Sequence, residues 1–226
     1  MHHFIITRFN VKVEGWESSR EGQQVLTDQW MSERFELFTT YCLPSVMNQT
    51  EQNCHWCVFF DIDTSEIYKS KIESIKKLFP QFAPFFVTDN SSVLPKFKEI
   101  IRTFETDSIE QFIITSRLDN DDLIHKDFIK IVQQSSQPTN RMVIDCPRGY
   151  QITLGKNTSK IRIYQNLSNP FVSVVESMAN PSTVLSQMHK SWGNETHVVT
   201  IDHQEGLWVE LIHESNKLNA SKSYLL

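Results

Sequence analysis

With 226 residues, 39% of them hydrophobic and 11% aromatic, the chain has material for one α/β domain with a sizeable core, and its composition excludes a disordered protein. A net charge of −5 and a pI near 5.9 argue against nucleic-acid binding as the main task. No apolar run approaches a membrane span, and Met1-His2-His3-Phe4 lacks the basic and apolar regions of a signal peptide, so a cytoplasmic protein without a transmembrane segment is expected.

Residues 4–9 form a β-rich run and the expected first strand, with Arg8 and Asn10 at its polar end. A polar stretch over 14–28 follows, broken by Gly15 and Gly22. Across 29–47, Trp30, Phe35, Leu37, Phe38, Tyr41, Cys42 and Val46 recur at helical spacing, and Pro44 is expected to end or kink that helix. Residues 55–64 read as a buried strand with an acidic tip, and 67–79 as a helix closed by Pro80. Residues 82–87 read as a strand that Pro84 places towards a sheet edge. A helix over 94–104 precedes the strand that starts at Phe112 and runs into Asp119-Asn120-Asp121-Asp122. Another helix is expected over 126–134. This alternation predicts a Rossmann-like, mainly parallel sheet with helices on both faces. Beyond it, 141–146, 150–154, 160–164, 172–175 and 197–201 are closely spaced strand candidates, which predict antiparallel or mixed additions. Residues 206–216 read as a short helix or strand followed by a loop. Of the cysteines, Cys42, Cys54, Cys57 and Cys146, the Cys54-x-x-Cys57 pair lacks the second pair a structural zinc would need. It also enters a strand, so buried, unreactive thiols are expected.

The strand ending in four polar residues is the centre of the functional reading. Such a strand ends at the carboxyl edge of a sheet, where open α/β folds bind ligands. In extended chain Asp119 and Asp121 share one side, and Asn120 and Asp122 the other. Two carboxylates on one side suit Mg²⁺ or Mn²⁺, which takes further oxygens from substrate phosphates. The plainer reading is a helix start capped by Asn120 or Asp121. No G-x-G-x-x-G, P-loop, G-x-S-x-G or H-E-x-x-H pattern occurs, which argues against dinucleotide dehydrogenases, P-loop ATPases, serine hydrolases and zinc proteases. With six glycines there is little for a phosphate-cradling loop, so bound phosphates would depend on a metal and on arginines. Arg8, Arg34, Arg117 and Arg148 are the candidates, with ordinary surface solvation the alternative. Asp61-Ile62-Asp63-Thr64 falls one residue short of the D-x-D-x-[TV] opening of haloacid-dehalogenase-type phosphatases, where the first Asp is a nucleophile. It lies on the second strand, and its plainer role is to cap the helix that follows.

Asp119-Asn120-Asp121 resembles the D-x-D motif of GT-A glycosyltransferases. Further blocks resemble the putative rhamnosyltransferase family: Thr7-Arg8-Phe9, Arg34-Phe35-x-Leu37-Phe38, Cys42-Leu43-Pro44-Ser45 with Gln49-Thr50, Ser116 to Asp122, and Trp208-x4-His213-x2-Asn216. The resemblance runs from about residue 3 to 219. It implies a single GT-A-like domain, with about 1–135 as the nucleotide-binding half and about 136–226 as the acceptor and catalytic half. It implies a nucleoside-diphosphate sugar donor, a saccharide or glycolipid acceptor, and a divalent cation bridging the diphosphate to the acidic motif. On it Asp121 is the leading metal ligand, Asp119 reaches the ribose or the metal, and Asn120 and Asp122 orient the loop or the sugar. Arg8, with Asn10 beside it, lies near the nucleotide, and Arg34 and Arg117 near the diphosphate or donor sugar. His213 is a further metal or diphosphate contact, or else a plain histidine. Trp208 stacks on a sugar or packs. An inverting transfer needs a general base, for which Asp202, ending a strand, stands ahead of Glu205; a retaining transfer needs none. The alternatives are the phosphatase using Asp61 and Asp63, and a nucleotide- or sugar-binding protein without catalysis.

Overall fold

The computed structural model describes residues 1–15, 26–104, 112–155 and 158–213. Its first half is built on four parallel strands: β1 (His2–Arg8), β2 (His55–Asp61), β3 (Phe82–Val87) and β4 (Phe112–Arg117). β1 and β2 are nearly continuous apolar runs because both their faces are covered. Alternation splits them between two cores. Ile5, Val58, Phe60 and Ile114 meet α1 (Asp28–Leu37), α3 (Glu66–Leu78) and α5 (Phe128–Ser135), whereas Phe4, Ile6, Phe59 and Ile113 meet α4 (Val93–Arg102). In α4, Val93, Phe97 and Ile101 recur every four residues and are buried, while Lys96 and Glu99 pair outside. Each such large apolar side chain contributes about 1.5–3 kcal/mol by its burial.

The sheet order is β10-β6-β9-β4-β1-β2-β3, where β6 is Met142–Asp145, β9 Ser173–Ser177 and β10 His197–Thr200. β3 is an edge strand, as Pro84 requires. β9 runs antiparallel between β4 and β6, the expected antiparallel addition. From β1 the chain moves to β2 and β3 on one side and to β4 on the other. The carboxyl ends of β1 and β4 therefore flank a topological switch point, the position at which doubly wound sheets open a ligand crevice.

Three expectations are corrected. The helix over 29–47 is not a single α-helix. A wide π turn over Phe38–Cys42 joins α1 to α2 (Leu43–Met47) in one helical run, and it lies just ahead of Pro44, which has no N–H to give the preceding turn. Residues 119–122 are not extended: the chain turns at Asn120 and Asp121, with Asp122 N bonded to Asp119 O, and α5 begins only after Asp127, so neither Asn120 nor Asp121 caps it. Finally, β7 (Arg148–Thr153) and β8 (Lys160–Gln165) do not extend the main sheet. With β5 (Leu123–Ile124) and β11 (Trp208–Ile212) they form a second sheet of order β5-β11-β7-β8. β5 has two residues, too few for any periodicity. Residues 214–216 of the expected final segment, and 16–25 of the early polar stretch, lie outside the described residues, as does Asn216.

Trp208 fixes the small sheet to the large one. It is fully buried, stacks on Phe171 with centroids 4.8 Å apart, meets Tyr164 edge-on and donates from Nε1 to Cys146 O at 2.6 Å. A side chain at Gly149 would collide with the indole, so this strand position needs glycine. Of the two roles expected for Trp208, packing is the one observed, and it presents no ring face to a sugar. Among the described residues no helix is long and apolar enough to cross a membrane.

Candidate active site

Three strand exits bring the polar groups together at the carboxyl edge. At the exit of β1, Asn10 is tied to the exit of β2: its Nδ2 donates to Thr64 Oγ1 at 3.0 Å and its Oδ1 accepts from Asp61 N at 3.1 Å. Beside this link lies a cavity of about 160 Å³ whose lining includes Asn10, Met31, Asp61, Thr64 and Tyr68. Asp61 is 4% exposed, and its Oδ1 accepts from Asp63 N at 2.8 Å. Lys12 Nζ stands 3.3 Å from Asp61 Oδ2, outside hydrogen-bonding geometry, and bonds Asp63 at 2.8 Å instead. Asp61 and Asp63 do not cap α3, whose N-cap residue is Ser65.

At the exit of β4, Arg117 holds Asp119 with two bonds, Nε to Oδ1 at 3.1 Å and Nη2 to Oδ2 at 2.7 Å. Arg8 donates to Asn90 Oδ1 at 2.7 Å, and it lies close enough to Arg117 that burial and then that neighbour's charge lower its pKa, against the pull of Asp119. Two guanidiniums therefore share one carboxylate, a local positive balance that suits an anion.

The turn after β4 is stapled from several directions. Asn120 Nδ2 donates to Phe9 O at 2.8 Å, and Asn120 Oδ1 accepts from Arg34 Nη1 at 3.3 Å. Arg34, from α1, also donates to Asp121 Oδ2 at 2.5 Å, and His213 Nε2 meets the same oxygen at 2.9 Å. Burial alone would raise the Asp121 pKa, but Arg34 and His213 outweigh it and hold the carboxylate down to about 2. Asp122 is displaced in the opposite direction by burial and by the carboxylates of Asp121, Asp119 and Glu210. Its Oδ1 accepts from Leu211 N at 3.1 Å, so the side chain continues the ladder where β5 stops, and two residues later β11 delivers His213 to Asp121. Cys42 lies beneath, its thiol bonded to Asp119 O and pushed up in pKa by burial and these acids; burial also lifts Cys54 and Cys146 to about 12 and raises Cys57, so all four thiols stay protonated.

The residues singled out from sequence thus separate into groups. Arg34, Asn120, Asp121 and His213 converge, with Asp122 behind them; Arg8, Arg117 and Asp119 form a neighbouring cluster; Asn10 lines the cavity at the exit of β2. Asp119 is turned to Arg117, not to the side of Asp121 that an extended chain would give it. Glu205 is elsewhere: its Oε2 pairs with His125 Nε2 at 3.1 Å, beyond Trp208, while His213 follows the other end of β11. Five residues at ~3.3 Å per residue put roughly 16 Å between Trp208 and His213 alone. Asp202 is exposed and follows β10 at the carboxyl edge, three strands from β4. Arg148 donates to Gln204 O at 2.8 Å and so braces that loop instead of facing the site. Sequence reasoning missed Thr64 and Tyr68 as cavity walls; the acidic tip of β2 was the available signal.

Among the described residues no three His, Cys, Asp or Glu side chains are placed to hold a metal ion by themselves. Asp121 and His213 nonetheless bring a carboxylate and an imidazole together, bonded to each other at 2.9 Å. With that bond exchanged for a cation, the pair would suit a Mg²⁺ or Mn²⁺ that completes its shell with substrate phosphate oxygens and water.

The comparisons with known proteins agree with this architecture. No curated protein matches the sequence. Among solved structures, residues 1–349 of TarS from S. aureus in complex with UDP-GlcNAc align with a TM-score of 0.54 at 12% identity, over 100% of this chain and 62% of that one. The UDP complex of the same protein aligns with a TM-score of 0.50 at 12% identity, over 94% and 61%. The likeness is one of fold, and this chain spans about three-fifths of those TarS chains. The sequence itself matches the family described as "Putative rhamnosyl transferase" over residues 3–223. That match takes in all the strands but the first residue of β1, and every converging side chain described above, and the chain belongs to this rhamnosyl transferase family.

Proposed function

We propose that the protein is a nucleotide-sugar glycosyltransferase whose donor lies across the carboxyl ends of β2, β1 and β4. The observation that carries the reading is the convergence of Arg34, Asn120, Asp121 and His213, from three distant segments, at the switch point of the sheet. The TarS complexes with UDP-GlcNAc and UDP support a donor of this class. The nucleoside takes the cavity beside Asn10, Asp61 and Thr64, where Asp61 Oδ2 is placed to accept an N–H of the base. The diphosphate lies towards Arg8 and Arg117. Asp121 and His213 hold a divalent cation, which when bound acts as a Lewis acid on the departing diphosphate. Arg34 keeps Asp121 ionised and aimed, Asn120 fixes the turn to β1, and Asp122 fixes it to β11. The sugar is rhamnose, as the family description suggests, and the acceptor is a saccharide or glycolipid. Residues up to about 135 serve the nucleotide, and the rest contribute His213 and the acceptor side. For an inverting transfer Asp202 is the base, because it is exposed at the same sheet edge; Glu205 is not retained for that role.

The test is thermal unfolding with Mn²⁺ and each of UDP, dTDP, GDP and CDP. A ligand of the folded state at 100 times its dissociation constant adds about 2.7 kcal/mol, visible as a raised midpoint. A Mn²⁺-dependent rise for one nucleotide, absent in Asp121→Ala, is expected. No rise with any of them, or a rise that Asp121→Ala keeps, contradicts the reading.

A further inference from the structure

Two arginine–carboxylate pairs stand at the tip of β4, and they differ in cover. Arg34 and Asp121 are both buried, with side chains 10% and 8% exposed, and His213 meets the same carboxylate. Arg117 and Asp119 lie nearer the solvent, at 20% and 39%. Arg117 spends one edge of its guanidinium, Nε with Nη2, on Asp119. By that same two-pronged edge an arginine takes a phosphate, so the carboxylate and a phosphate placed there exclude each other. Arg8 lies close enough for the charges of both residues to act on it, and among the described residues it hydrogen-bonds only Asn90, so it keeps donors to spare. The backbone at Asp119 is held without its carboxylate: Leu118 N donates to Ile6 O at 3.2 Å, and Asp119 O accepts from Asp122 N at 3.3 Å and from the Cys42 thiol at 3.6 Å. Turning the carboxylate away from Arg117 therefore needs only its own side-chain torsions. A partly exposed ion pair is weak, whereas a diphosphate brings more negative charge to both arginines.

We infer that Asp119 is a displaceable self-ligand: its carboxylate occupies the anion site made by Arg8 and Arg117, and the donor's diphosphate binds by taking its place on Arg117. The choice of a diphosphate rests on the glycosyltransferase reading above, and the exchange itself rests on the shared guanidinium edge. Asp119 thereby competes with the anion, which sets it apart from a residue that only contacts the donor. The rival arrangement uses the other edge of Arg117, Nη1 with Nη2, where a phosphate would leave Asp119 in place.

The probe is inorganic pyrophosphate in metal-stripped buffer, titrated by calorimetry into the full chain and into Asp119→Asn. The variant is expected to bind about fivefold more tightly, because no carboxylate has to be displaced. Asp119→Ala repeats the test with the whole group removed, and melting temperatures check that both variants fold. Equal or weaker binding by the variants overturns the inference. Loss of a negative charge by itself also favours an anion, so a second readout follows the carboxylate. In wild type labelled at aspartate, the NMR signal of the Asp119 carboxyl carbon, assigned by its absence from the variants, is expected to shift with the calorimetric midpoint. A signal that stays in place while pyrophosphate binds shows Arg117 holding both anions at once, and overturns the exchange. No binding to any of the three proteins removes the diphosphate site of the transferase reading together with the exchange, whereas equal binding to all three removes the exchange alone.

Discussion

Two parallel strands leave the main sheet into carboxylates, β2 into Asp61 and Asp63 and β4 into Asp119, Asp121 and Asp122, and the surroundings of the two tips differ. The β2 tip is met by one lysine, itself half exposed, and otherwise folds back on its own backbone and on Asn10. The β4 tip is met by a buried arginine from α1, a histidine after β11, a backbone N–H of β11 and an arginine pair. Strand-then-acid is a common local signal. What turns one such tip into a candidate metal and diphosphate site is the set of side chains that distant segments bring to it, and the other, met by a single half-exposed lysine, is left as a pocket wall.

The comparison can be broken or sharpened by substitution. The largest effect is expected for Arg34→Leu. The Arg34–Asp121 pair is buried on both sides, and removing one member of such a pair costs about 3–5 kcal/mol. At 2–4 °C per kcal/mol for a chain of this size, the melting temperature should fall by roughly 10 °C by calorimetry. A fall no larger than that of a surface control would show the pair to be incidental. Next comes Asp61→Asn, which exchanges one acceptor oxygen of the cavity for a donor. Nucleotide affinity measured by titration calorimetry should drop about tenfold, or 1.4 kcal/mol, with the requirement for Mn²⁺ unchanged. An unchanged affinity would place the base elsewhere.

A smaller effect per pH unit separates the scaffold from the site. His3 is fully buried, bonded through Nε2 to Ser116 Oγ at 2.7 Å, and burial followed by the nearby His55 lowers its pKa to about 3. The unfolded chain binds a proton near pH 6.5 and the folded chain does not, so stability present above pH 6.5 is lost as pH falls from there towards 3, at roughly 1.4 kcal/mol per unit. His3→Leu should flatten that slope in denaturant titrations between pH 6.5 and 5, and an unchanged slope would assign it to other groups. Nucleotide binding in acid should therefore be measured on folded protein only. At the lower limit stands Asp63→Ala. This fully exposed carboxylate bonds an exposed lysine, and its loss should leave the melting temperature within error of wild type; a clear fall would contradict the contrast.

The legible parts of the site were the local ones. Phe112 to Asp122 announced a buried strand ending in acids, and Arg8, Asn10 and Arg117 could be set at strand ends by counting residues from apolar runs. Pro84 correctly put β3 at an edge. The partners of Asp121 were not readable from periodicity, because Arg34 lies 87 positions and His213 lies 92 positions away, and which side chains meet depends on helix rotation and strand order. The family resemblance named these residues but not their contacts. Trp208 illustrates the converse: its indole could serve a sugar or a core, and only the placement of Phe171, Tyr164 and Gly149 decides for the core. The second sheet escaped because β5 is two residues long and β7 and β8 look like any other short strands until their pairing is known.

The most direct test of the account is a calorimetric titration of the nucleotide that raises the melting temperature, with and without Mn²⁺, into wild type and Asp121→Asn. Asparagine keeps the size of the side chain and an oxygen for Arg34 but removes the charge a cation needs. The account predicts that Mn²⁺ tightens binding at least tenfold in wild type and not at all in the variant. Equal tightening in both proteins would contradict it, because the cation would then be held without the carboxylate around which Arg34, Asn120 and His213 are assembled.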